Sequence, residues 1–174
     1  MSNSLDGAGA FVLIILILYL AVILISLAVG ILGIVAKYKL YEKAGEPGWS
    51  AIIPIYNYMQ MMKIALGNYK LAFVYLGISV AYIVTAMISG FMSAMSDELS
   101  SMYIISTVFM MLLILPLYAI SAYSSFMFGK AYGKSDVWNI CMIFFSPIMI
   151  IIMGLDKKTV YVGPKGIPQN NNYY

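Results

Sequence analysis

The run from Ala10 to Ala36 contains no charged residue. As a helix it is longer than the ~30 Å hydrocarbon core of a bilayer. Asp6 is the only charge before it, and Lys37 and Lys39 follow at once. A signal peptide has a basic start and a shorter apolar stretch, so this run reads as a retained first span. Three more uncharged runs follow, at 71–95, 102–128 and 138–155. Composition agrees: 63% of the 174 residues are hydrophobic and only 10% are charged, against about 25% charged in soluble domains. The expectation is an all-α integral membrane protein built as one bundle of four transmembrane helices. They lie at about 10–36, 71–95, 102–128 and 138–155, within a single domain 1–158 followed by a flexible tail 159–174. The fourth span is short and holds Ser146-Pro147 at its middle, so a re-entrant hairpin is its alternative.

The segment 37–70 is the longest polar-leaning stretch. Glu46-Pro47-Gly48 reads as a turn, and Trp49 suits the membrane interface. From Pro54 the spacing predicts an interfacial amphipathic helix over 54–66, with Pro at its tolerant first turn. At 100° per residue Tyr56, Asn57, Gln60 and Lys63 fall on one side, with Ile55, Met59, Met62 and Leu66 opposite. The polar side has two readings: a solvated face, or a contact site for a partner or lipid headgroup made of Trp49, Tyr56, Asn57, Gln60 and Lys63.

Small residues at Ala86, Gly90 and Ala94 recur every four positions and predict a seam where another helix approaches closely. Gly30 and Gly33 permit the same in the first span. Pro116 is expected to kink the third span, with Ser121, Ser124 and Ser125 bonding to local backbone or neighbouring helices. The turn at 96–101 carries two acids and no lysine, and the chain closes on a polar run ending Asn-Asn-Asn-Tyr-Tyr.

Lysine counts set orientation. All ten basic residues are lysine: five lie in 37–70, two in 129–137 and three after 156. The N-terminus is therefore expected outside and Lys37 inside the cell membrane. Four spans put Lys157, Lys158 and Lys165 outside, whereas a hairpin puts every lysine inside. Four spans is the preferred reading, because a hairpin must bury its backbone in a small protein.

Several chemistries lack their residues. The chain has no His and one Cys, Cys141, which excludes His catalysis and His metal sites. No ionisable group lies within the four apolar runs, where coupled transporters keep them. Asp6, Asp97, Asp136 and Asp156 sit at ends or loops, not at the membrane depth an aspartyl protease requires. No basic run comes with aromatic platforms, so nucleic acid is not an expected partner. No catalytic residue, cofactor or metal is expected. The partners expected are the lipid bilayer and another membrane protein or a second copy of the chain.

Ala44-Gly45-Glu46-Pro47-Gly48-Trp49, then Ile52-Ile53-Pro54-Ile55-Tyr56-Asn57 and Lys63-Ile64-Ala65, resemble the signature of a family of small bacterial multi-pass membrane proteins often labelled signal peptidase I. Phe128-Gly129-Lys130, Gly133, Pro147 and Gly154 resemble it further. The sequence departs from that pattern at Asn68-Tyr69-Lys70, which lacks a tryptophan. The resemblance implies a membrane fold and no established activity. Signal peptidase I itself uses a serine in a Ser-x-x-Pro setting and a lysine base, in a β-rich domain outside the membrane. Here Ser146-Pro147 lies in an apolar run, and Ser50 with Pro54 and Lys63 falls on the expected inner side. The expectation is a non-enzymatic protein that binds a membrane partner or lipid, with an oligomeric pore or small transporter as the alternative.

Overall fold

The computed structural model describes the backbone of residues 2–95 and 101–168, with side chains from Gly9 onward. All described regular structure is helical. Helix α1 covers Ser2–Lys43, α2 Pro54–Leu66, α3 Lys70–Met95 and α4 Ser101–Ala131, followed by α5 Asp136–Phe144 and α6 Ser146–Leu155. Single 3-10 turns occupy Gly48–Ala51 and Pro164–Gly166. Three helices, α1, α3 and α4, are long and apolar enough to cross a membrane. The helix expected over 54–66 is α2. The turn at 96–100 and the end of the tail at 169–174 lie outside the described residues.

α1 runs past the expected 10–36 span at both ends, because a helix satisfies its own backbone and does not need to stop where the apolar run stops. It ends in a Schellman closure. Gly45 adopts φ 75° and donates to Glu42 O at 3.0 Å, while Glu46 donates to Tyr41 O at 2.9 Å. α4 ends the same way at Gly133, φ 66°, with Lys134 N bonded to Gly129 O at 3.1 Å. A left-handed residue at this position is what glycine tolerates and other residues resist.

The fourth apolar run corrects the four-span expectation. Ser135 caps α5 by accepting from Trp138 N at 3.4 Å. Pro147 has no N–H to continue the ladder, and the helix breaks at Phe145, φ −120° and ψ 36°. The chain then doubles back. Lys134, before α5, lies 3.6 Å from the Asp156 carboxylate after α6 and donates to Thr159 Oγ1 at 2.9 Å. Both ends of the segment therefore stand at one end of the molecule. α5 has 9 residues and α6 has 10, about 15 Å each, half of a ~30 Å core. The expected cost of a hairpin, exposed backbone, is avoided because both limbs are helical. They are wedged between α4 on one side and α1 on the other. Gly129 and Gly154 make this possible. A Cβ on Gly129 would land on Asn139 Oδ1, and one on Gly154 would stand 2.6 Å from the backbone of Ala36.

With the hairpin in place all ten lysines lie at the same end of the molecule, and the buried core lies there too. Tyr41 meets Phe128 edge-on at 6.5 Å, Phe128 packs on Tyr132 at 5.1 Å, and Tyr132 on Tyr161 at 5.5 Å. The Tyr132 hydroxyl donates to Leu40 O at 2.5 Å, and its burial raises the phenol pKa, keeping it a donor. Away from this end burial is sparse. Residues 9–32 of α1 are exposed on every face, while α3 and α4 pair with each other. Their seam is not the expected one throughout: Ala72 and Ser89 are buried, but Gly90 and Ala94 are exposed and nothing lies within 4 Å of a Cβ on Gly90. Gly30 and Gly33 likewise meet no neighbouring helix. Ser124 bonds Ile120 O at 2.6 Å, the local satisfaction expected of it.

Residues 159–168, expected as part of a flexible tail, are anchored. Val162 N bonds Ala131 O at 2.8 Å, and the Tyr161 hydroxyl bonds Ile64 O at 3.1 Å. The start of this strap is clasped by Asp156, whose carboxyl is held below its ordinary 3.8 first by the Lys158 backbone N–H, then by the Thr159 hydroxyl and Lys134. A lowered carboxyl pKa gives stability present above the unfolded value and lost as pH falls through the folded one. Acidification below about pH 3.8 is therefore expected to loosen the strap. Hydrogen exchange at Val162 and Gly163, corrected for intrinsic rate, checks this: exchange unchanged between pH 5 and pH 3 would contradict it.

Candidate functional site

The proposed contact residues surround α2, but they do not form one surface. Ile53 stays extended before Pro54, and the Gly48–Ala51 turn folds Trp49 back onto the helix. Trp49 stacks on Tyr56 with ring centroids 5.3 Å apart and planes at 11°. Trp49 remains 52% exposed. These two residues form a stacked pair at the surface of α2.

The other three are tied into the protein. The Tyr41 hydroxyl donates to Asn57 O at 2.9 Å and to its Oδ1 at 2.5 Å. Gln60 is 0% exposed. Its amide donates to the Glu46 carboxylate, and its oxygen accepts from the Tyr69 hydroxyl at 3.2 Å. Lys63 Nζ lies 2.6 Å from the other Glu46 oxygen and 5.6 Å from the Tyr69 ring centre. The hydrogen bond to Glu46 is the chief reason the Lys63 pKa is raised. Most of the polar stripe of α2 is thus bonded within the protein rather than simply solvated. Half of it grips the turn that enters the helix. Glu46, read at first only as a turn residue, is the hub, and Tyr41 and Tyr69 are partners that helical spacing within 54–66 could not reveal.

A second feature lies between α1 and α6. An open cleft of about 540 Å³ runs along α1 from Ile25 past Gly30 and Gly33 to Lys37, with Pro147 and Ile150 as its far wall and Asn57 at its lysine end. Lys37 forms no ion pair among the described residues, unlike Lys63, Lys130 and Lys134. The Asn57 amide nitrogen has no hydrogen bond there either.

A serine–lysine peptidase can be tested on this geometry. The Ser50 hydroxyl is buried and donates to Pro47 O at 2.6 Å, while Lys63 is held by Glu46. Ser146 shares the cleft with Lys37, but α6 runs parallel to α1 with Gly154 beside Ala36. Ser146 therefore stands eight residues back along the helix, about 12 Å, beyond the hydrogen-bond reach that proton transfer requires. Among the described residues no three His, Cys, Asp or Glu side chains form a group able to hold a metal ion.

Comparison with protein-family models, curated proteins and solved structures finds no match to this chain. Any assignment of function therefore rests on the residues themselves.

Proposed function

We propose that this chain is a non-enzymatic integral protein of the cell membrane that binds a membrane-protein partner or lipid at its lysine-bearing end. The observation that carries the reading is the contrast around α2. Glu46, Gln60, Lys63 and the Asn57 oxygens there are committed to internal bonds, while the Trp49–Tyr56 stack stays at the surface. An aromatic pair at interface depth is suited to a partner that is apolar on one side and wet on the other. The test is affinity capture from native membranes. A stoichiometric membrane partner retained by the wild type and lost with Trp49→Ala, at unchanged thermal stability, supports the reading. Retention by Trp49→Ala and Tyr56→Ala alike removes the stack from it.

The same reading has three spans, the N-terminus outside and the lysine end inside, because lysines then obey the positive-inside rule without exception. Reporters fused after residue 45 and after residue 168 are expected to give the same cytoplasmic signal. One inserted at 96–101 is expected to give the extracytoplasmic signal. Opposite signals from the first two would restore a fourth span.

One observation favours a second reading, an oligomeric pore or small transporter. The all-round exposure of α1 over 9–32 leaves apolar faces that a second copy can cover as well as lipid. Ion flux through liposomes holding the purified protein, with cross-linked oligomers through α1, would favour that reading over the first.

A further inference from the structure

We propose that the cleft between α1 and α6 seats one acyl chain of an anionic phospholipid, with the phosphate of its headgroup on Lys37. Four observations converge. The cleft has a largely apolar course and one charged end: Ile25 and Pro147 stand at the deep end with the small hydroxyls of Ser26 and Ser146 beside them, Lys37 and Asn57 at the other. Its course along α1, from Ile25 to Lys37, is about 18 Å. That is close to the ~15 Å of one leaflet, and it matches the depth to which α5 and α6 reach. Gly30 and Gly33 line this course, and a Cβ on either would meet nothing within 4 Å. These glycines bring no other helix close, so the space they leave is open to a ligand from the side. Finally, among the described residues the lysine at the polar end lacks an acidic partner, and the amide nitrogen of Asn57, which lines the same cleft, has no hydrogen bond. A phosphate accepts from both, and charge-assisted bonds of this kind are the stronger ones.

The chemistry selects the occupant. A neutral amphiphile would leave Lys37 uncompensated in a half-buried setting, which is costly. A soluble phosphate would not use the apolar course. A phospholipid of the lysine-side leaflet satisfies both parts at once, and α6 running beside α1 walls the chain on its second side.

The inference rests on the lipid-binding form of the proposed function, and it fails separately from it. Partner capture through Trp49 and Tyr56 is a different measurement on different residues. The test uses the purified full chain in detergent, titrated with dioleoyl-phosphatidylglycerol or dioleoyl-phosphatidylcholine and read by native mass spectrometry. One phosphatidylglycerol is expected to remain bound in preference to phosphatidylcholine. Lys37→Gln is expected to reduce its retention about tenfold, to the phosphatidylcholine level. Gly33→Leu, which fills the course without touching the charge, is expected to reduce retention of both lipids. Lys39→Gln, two residues on and so about 200° round the helix, exposed and outside the cleft, is expected to leave it unchanged. Equal retention of the two lipids by the wild type overturns the proposal, as does retention by Lys37→Gln equal to that of wild type. Full retention by Gly33→Leu overturns the seat in the cleft.

Discussion

Replacing Gly154 with leucine is expected to detach the α5–α6 hairpin from α1. A Cβ at this position would stand 2.6 Å from the Cα, Cβ and carbonyl oxygen of Ala36. Backbone atoms in the middle of a helix cannot step aside as a flexible side chain can, so the two helices must separate. Overpacking of this kind costs about 1–3 kcal/mol and sometimes more. Leucine, with three further carbons beyond Cβ, belongs at the upper end, about 3 kcal/mol. Separation would also break the Lys43 Nζ bond to Asp156 O, 2.8 Å long. Gly90→Leu is the matched control, because a Cβ there meets nothing within 4 Å. It is expected to change stability by less than about 0.5 kcal/mol. The measurement is the unfolding midpoint of each variant in mixed detergent micelles. Equal midpoints for the two variants would mean that α6 is not held against α1 at Ala36.

That contact also shows where the sequence was legible and where it was not. Long apolar runs announced α1, α3 and α4, because twenty or more uncharged residues have few alternatives. Pro54 and the length of the segment announced a helix over 54–66, but not its faces: Ile55, expected on the apolar side, is 62% exposed, and Gln60, expected on the polar side, is buried. The hairpin was only half legible. Ser146-Pro147 marked the break, but a proline in a short apolar run suits both a kinked span and a reversal. The decision came from packing that periodicity does not encode: Gly129 accepting Asn139, Gly154 accepting Ala36, and Lys134 reaching Asp156. The small-residue rule failed in an instructive way. Ala86, Gly90 and Ala94 have the spacing of a seam, yet Gly90 faces outward, while a close approach of two helices falls at a lone Gly154. Spacing identifies where helices are able to approach, and the partner's shape decides where they do.

The candidate site was legible by residue and misread by environment. Trp49 and Tyr56 behave as a surface pair. Asn57, Gln60 and Lys63 were grouped by angle around α2, but an angle says nothing of what faces it. The preceding turn carries Glu46 to that face, α1 brings Tyr41, and the loop after α2 brings Tyr69. In the sequence Lys37 marks the end of the first apolar run and the expected inner side. Its place at the end of a cleft required α6 to run alongside α1, which no local pattern contains.

Gln60→Ala is the second large effect expected. A solvated glutamine would be replaced for less than about 0.5 kcal/mol. Gln60 is instead fully buried, with its amide on a carboxylate and its oxygen on Tyr69. A buried hydrogen bond to a charged group is worth about 1.5–3 kcal/mol, so a loss of about 2–3 kcal/mol is expected. Glu46→Ala should cost a similar amount, because it strands the Gln60 amide and frees Lys63. Lys63→Ala should cost less than about 1 kcal/mol, since its side chain is 36% exposed and water screens the pair. Its share is lost only at high pH. The Lys63 pKa is raised above 10.5 first by the bond to Glu46, so the contribution is whole below that value and is lost as pH rises from there through the folded pKa. The Glu46→Ala, Gln60→Ala double variant decides whether this is one unit. Coupled residues depart from additivity by about 0.5–3 kcal/mol, and here the double loss should fall short of the sum. Additive losses would separate the two side chains. If instead all three single variants keep wild-type stability and lose a captured partner, the network is a docking surface that its own residues occupy only until the partner arrives.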